Sequence, residues 1–162
     1  MKKLFMYIPM LLLPLTFQSC GSSDCEPTPP DVEKPGEEIN TDWQKVANQS
    51  SNALIIFYWN IEKNFFNYYP ARADTPEENW HYWPQAHAMD VLIDAYIRTG
   101  DNIWKHYFDL WYEGVKQKSG GSYFNDFVDD MEWICLTMIR LYESTNDTRY
   151  IETAQLLWNK IK

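Results

Sequence analysis

The stretch Tyr96–Trp104, YIRTGDNIW, returns 46 residues later as Tyr142–Tyr150, YESTNDTRY. Tyr96 corresponds to Tyr142, Thr99 to Thr145, Asp101 to Asp147 and Trp104 to Tyr150. Each copy reads as the end of one helix, a tight turn and the start of the next. Gly100 and Asn146 suit the left-handed residue that closes a helix. Asp101 and Asp147 suit the N-cap of the helix that follows. A helix–turn–helix unit at this period means stacked helical hairpins, in a solenoid or a closed toroid.

Outward from this repeat, apolar periodicity predicts five helices: Asp42–Tyr69, Pro84–Arg98, Asn102–Lys118, Val128–Glu143 and Thr148–Lys160. Pro84 fits a first-turn position. Leu54–Trp59 has strand-like composition but sits inside a longer helical pattern, so no strand is expected. The turns at Gly100 and Asn146 are short, whereas Pro70–Trp83 and Ser119–Phe127 are long and aromatic. In an alternating array both long connections fall at one end, where helices two and four begin. Loops held on a rigid scaffold are where function concentrates. Asp129, Asp130, Trp80, Tyr82, Trp83 and Gln85 are therefore expected to share one mouth. The fourth helix is apolar on nearly every side, which predicts burial. On the second, His87, Asp90 and Asp94 form one polar stripe, facing either a narrow cavity or water.

Residues 1–19 read as a leader. Lys2 and Lys3 precede an apolar run too short to span a bilayer, the organisation of a signal peptide. Cys20 after Ser19 matches a lipoprotein processing site and is read as the lipidated N-terminus, although Phe17 and Gln18 depart from the usual pattern there. Residues 20–41 carry four prolines among acids and serines and read as a flexible tether. Cys25 falls in that tether and Cys135 in an apolar helix, so no disulfide framework is expected. No Cys/His spacing suggests zinc, no calcium-loop spacing is present, and no cofactor is implied.

The chain has 14 Lys and Arg against 23 Asp and Glu, a formal net charge of -9. Losing Lys2 and Lys3 with the leader takes it to -11. No basic surplus exists to neutralise phosphates, which argues against nucleic acid. Aromatic residues make up 17% of the chain, enough to serve both a core and faces that stack on sugar rings.

Within that mouth the stretch FNDFVDDMEW (Phe124–Trp133) places Asp129 beside Asp130 where an apolar helix starts. Helix starts favour carboxylates through capping and the macrodipole, and that alone accounts for most such pairs. Two carboxylates are also the equipment of a glycosidase, separated by roughly 5–5.5 Å for retention and roughly 6.5–9.5 Å for inversion. Adjacent residues at a helix start reach the shorter separation if both turn inward. Mutual repulsion and partial burial would then split their titrations. Asp129 with Glu132, one turn apart on one face, is a competing pair. Asp126 is a further candidate, as an N-cap.

YWPQAHAMDVLIDAYIRTGD (Tyr82–Asp101) and GGSYFNDFVDDMEWICLTMIRLYE (Gly120–Glu143) resemble glycoside hydrolase family 76, the endo-α-1,6-mannanases. The resemblance runs over most of residues 42–162, the second segment being the specific one. It implies an all-α fold, part of an (α/α)6 toroid, and cleavage of α-1,6-linked mannan with retention. Asp129 would be the nucleophile and Asp130 the acid/base. Trp83, Gln85 and His87, with Tyr82, Phe124 and Asn125, would bind substrate. The lipoprotein leader looks like that of surface glycan-utilisation systems, implying anchorage to the outer membrane of a Gram-negative bacterium.

A family member needs twelve helices and about five are present. The expectation is a truncated product or fragment, poorly soluble and with little or no activity alone. The alternative is a non-catalytic helical surface lipoprotein that binds glycan or a protein partner.

Overall fold

The computed structural model describes residues 41–70 and 79–162. The leader, the lipidation site Cys20, Cys25, residues 21–40 of the tether and residues 71–78 lie outside the described residues. The described elements are α1 (Trp43–Tyr58), β1 (Trp59–Asn60), β2 (Phe65–Phe66), α2 (Trp83–Thr99), α3 (Ile103–Lys118), α4 (Val128–Thr145) and α5 (Thr148–Ile161). Four of the five predicted helices match within about two residues.

The two copies of the turn build the same hydrogen bonds. Gly100, at φ 67°, donates its N–H to the Tyr96 carbonyl at 2.8 Å, and Asn146, at φ 60°, donates to Tyr142 at 2.7 Å. The Thr99 hydroxyl donates back to Ala95 O at 2.7 Å and accepts from the Asp101 N–H. Thr145 does the same with Leu141 O at 2.6 Å and the Asp147 N–H. Asp101 Oδ1 then accepts from Ile103 N and Asp147 Oδ1 from Arg149 N. The threonine satisfies a carbonyl left over at the helix end, and the aspartate an N–H left over at the next start.

The expected first helix, Asp42–Tyr69, is overturned. It stops at Tyr58, and the antiparallel pair β1–β2 follows, with Trp59 opposite Phe66 and Asn60 opposite Phe65. The cause is Asn60, whose side-chain oxygen accepts from Glu62 N at 3.2 Å and Lys63 N at 3.0 Å. That local turn competes with helical bonding. Asn64 completes it at φ 58°, a conformation asparagine tolerates better than most residues.

Core residues follow helical spacing: Met89, Leu92 and Ile93 on α2; Phe108, Trp111 and Val115 on α3; Ile134, Met138 and Leu141 on α4; Tyr150 and Leu157 on α5. Burying each large apolar side chain contributes about 1.5–3 kcal/mol. α4 packs most extensively on α5 and α2, and α2 also on α3 and α1. The α2–α4 pairs advance together: His87 meets Trp133, Ala86 meets Thr137, Asp94 meets Arg140. The two helices therefore run parallel and begin at the same end. α4 is not buried on every side as its composition suggested, because Trp133 and Leu136 are exposed beside the polar stripe of α2.

The hairpin sits hard against α3 at Gly114. A Cβ there would come within 2.1 Å of the Asn64 carbonyl oxygen and 2.6 Å of that of Lys63. Backbone on both sides leaves no flexible atom to yield. Gly114→Ala is expected to cost about 1–3 kcal/mol, seen as a lower denaturant midpoint at unchanged slope.

Candidate active site

The site end is assembled by tyrosines. At the head of α2, the buried Tyr82 donates its hydroxyl to the Tyr123 carbonyl. Tyr123, also buried, donates its own hydroxyl to the Tyr112 carbonyl on α3. Tyr112 in turn meets the Thr153 hydroxyl of α5 at 2.9 Å. The connection between α3 and α4 is thus tied to the head of α2 and to α3, and α3 in turn to α5. Burial pushes both the Tyr82 and Tyr123 hydroxyls up, and Asp130 adds to the rise at Tyr82. They stay protonated donors at ordinary pH.

Asp129 and Asp130 occupy the first turn of α4, where the helix dipole favours negative charge. The N-cap is Phe127, which offers no side-chain acceptor. Asp126, the sequence candidate for that position, is exposed and does not cap the helix. Asn125 supplies the local turn instead, its Oδ1 accepting from the Phe127 N–H at 3.0 Å. Its Nδ2 donates to Asp130 Oδ2 at 3.1 Å.

The two carboxylates differ in surroundings. Asp129 is exposed. Asp130 is half-buried. Partial burial, then the charge of Asp129, hold its carboxyl above the usual range, and the Asn125 hydrogen bond works in the opposite direction. A neighbouring pair in unlike environments divides the acid and base roles between its members.

Beside the pair lies an open aromatic cluster. The His87 ring stands 5.5 Å from Trp83 and 4.7 Å from Trp133, centroid to centroid. Both tryptophans are 44% exposed. Trp133 was missed from sequence because it looked like one more apolar residue of a buried helix. The signal was there: it follows Asp129 by four positions and Asp130 by three, so it shares their side of α4. Further along, Asp90 and Asp94 meet Arg140 of α4 at 2.8 and 2.5 Å, and Thr137 donates to Asp90. The stripe is an ion bridge between the parallel helices, on their open face.

Three of the expected substrate-binding residues are placed differently. Gln85 is 1% exposed. Its Oε1 accepts from Phe66 N at 2.9 Å, and its Nε2 donates to Phe66 O at 2.6 Å and His81 O at 3.1 Å. The amide acts as one further partner strand for the hairpin and is not presented to the mouth. Tyr82 is buried with its hydroxyl committed to Tyr123. Phe124 is exposed, but it lines a groove of about 380 Å³ against α3 and α5, with the Lys160 ammonium over its ring. Trp83, His87, Asn125, Asp129 and Asp130 remain at the open end. Among the described residues no group of three His, Cys, Asp or Glu side chains is arranged to hold a metal ion.

Removing the Gln85 amide strands both polar groups of Phe66 in the interior. Gln85→Leu is expected to cost about 1–3 kcal/mol per stranded group, read as a fall in the denaturant midpoint.

The family model of glycosyl hydrolase family 76 matches residues 42–162. The solved GH76A α-1,6-mannanase from Salegentibacter sp. HEL1_6 is 37% identical, with a TM-score of 0.66, over 74% of this chain and 34% of that one. An inactive variant of that enzyme, with two neighbouring aspartates replaced, is solved in complex with α-1,6-mannotetrose; it is 35% identical with the same TM-score and coverage. The Lin0763 protein from Listeria innocua is 32% identical, with a TM-score of 0.64, over 74% of this chain and 35% of that one. The chain spans about a third of the length of these structures. No curated protein sequence matches.

Proposed function

The chain belongs to glycosyl hydrolase family 76, and we propose that it supplies the catalytic wall of an α-1,6-mannan hydrolase acting with retention. The five described helices and the hairpin are part of an (α/α)6 toroid. The observation that carries the reading is the unlike environment of two adjacent carboxylates at the open start of α4, beside Trp83, His87 and Trp133. The complex of the similar mannanase with α-1,6-mannotetrose supports the choice of substrate.

In this mechanism the exposed Asp129 attacks the anomeric carbon of a mannose unit. Asp130, whose protonated form is favoured by partial burial and by its neighbour, gives its proton to the departing glycosidic oxygen. The resulting glycosyl–Asp129 ester is attacked by water, and Asp130, now ionised, takes that water's proton. Two inversions give net retention. The tryptophan and histidine rings offer stacking faces to the pyranose rings. The sign of the pH effect follows: activity falls as pH rises through the raised titration of Asp130, because the acid is lost.

Completing the cleft requires more of the ring than these helices. Trp43, Ile56, Ile97, Leu136, Leu156 and Trp158 are each more than half exposed, and the matched part of this chain covers only 34% of the solved mannanase. We therefore propose weak or no turnover by the chain alone. The lipidated Cys20, the 20–41 tether and attachment to the outer membrane belong to the same proposal.

The test is hydrolysis of α-1,6-mannooligosaccharides by the chain, and by a chimera carrying residues 42–162 in place of their counterparts in a full-length relative. In the active form Asp130→Ala is expected to lower turnover about 10²–10⁴-fold, and Asp129→Ala to abolish the covalent intermediate. Proton NMR of the first product should show the α-anomer. Unchanged turnover in both variants would remove the catalytic assignment. Cys20→Ala should abolish incorporation of labelled palmitate and release the protein from membranes.

A further inference from the structure

Asn125 stands two residues beyond the buried Tyr123, which ties its segment to the head of α2 and to α3. The orientation of its amide is decided by its surroundings. Oδ1 accepts the Phe127 backbone N–H at 3.0 Å, and a backbone N–H cannot face an NH2 group. Nδ2 therefore occupies the other branch and is the donor to Asp130 Oδ2 at 3.1 Å. An amide N–H is accepted better by the bare oxygen of a carboxyl than by the oxygen that carries hydrogen. With Oδ2 so occupied, a proton on that oxygen would crowd the amide hydrogen and weaken the bond.

We propose that Asn125 is a positioning residue for Asp130: its amide holds Oδ2 as the proton-free oxygen and leaves Oδ1 to carry and deliver the proton. The proposal rests on the reading of Asp130 as the acid/base group and adds to it the oxygen that acts. The polarity is also informative. Asn125 stabilises the ionised form of Asp130, against partial burial and the Asp129 charge, which favour the protonated one. Among the described residues, the titratable groups facing Asp130 are Asp129 on its own helix and the Tyr82 hydroxyl from the head of α2. Asn125 is the neutral group that offsets them, keeping the carboxyl able to release its proton and later recover one.

The experiment is carbon-detected NMR titration of the Asp130 carboxyl in the full chain. In the wild type, the Asn125 side-chain NH2 resonances should move with the Asp130 midpoint; resonances that stay flat through it overturn the proposal without any substitution. Asn125→Ser retains an oxygen able to accept the Phe127 N–H but is too short to reach Asp130. It should shift the Asp130 midpoint upward, as should Asn125→Ala. A wild-type midpoint in Asn125→Ser would mean that only the turn matters, and would also overturn the proposal. Where either variant fails to fold, the wild-type coupling decides. These readings need no turnover. Absent coupling with mannan hydrolysis intact sinks the assignment of Asn125 alone, whereas hydrolysis unaffected by Asp130→Ala sinks the reading beneath it.

Discussion

Two helices packed in parallel must begin at the same end, and the organisation of the site descends from that packing of α2 on α4. The pairs Ala86–Thr137, His87–Trp133 and Asp94–Arg140 keep the two in step. The return between them runs through α3 and the compact turn at Gly100, with its counterpart at Asn146 closing α4. The Ser119–Phe127 connection and the described end of the one that leads into α2, residues 79–82, are left at the opposite end. Charge, aromatic faces and the start of the α4 dipole collect there because the chain has nowhere else to put them.

At that end the structure handles adjacent like charges by giving them different neighbours. The helix start favours both carboxylates, but only Asp130 is drawn into partial burial and given a hydrogen-bond donor. The difference comes from the segment before α4, held down by Tyr82 and Tyr123 through bonds to backbone carbonyls. Buried tyrosines that must satisfy their hydroxyls act here as fasteners for a loop. Gln85 has the same role for the hairpin, where a side-chain amide stands in for a strand.

Much of this architecture was readable from residues because it rests on local rules. The Tyr–Thr–Asp repeat encodes a complete turn, and its threonine and aspartate side chains make the same bonds in both copies. The first helix was misread because Leu54–Tyr69 has apolar residues at helical as well as strand spacing. Its decisive feature, the Asn60 side chain capturing two backbone N–H groups, is local but competes against a long apolar pattern. Gln85 and Tyr82 are buried rather than open at the mouth. A polar residue beside a site looks like a ligand-binding group until its burial and partners are known.

The sequence alone determined the helical hairpins, their tight ends, the start of α2 and α4 at one end and the adjacency of Asp129 and Asp130, since these depend on spacing along one chain. Only the tertiary structure decided which polar groups remain available. Gln85 and Tyr82 are consumed by the scaffold, Trp133 is left open beside His87, and Asp130, unlike Asp129, is partly buried and takes a hydrogen bond from Asn125. Availability depends on what residues distant in the chain do to a group's solvent and hydrogen bonds, and spacing carries no record of that.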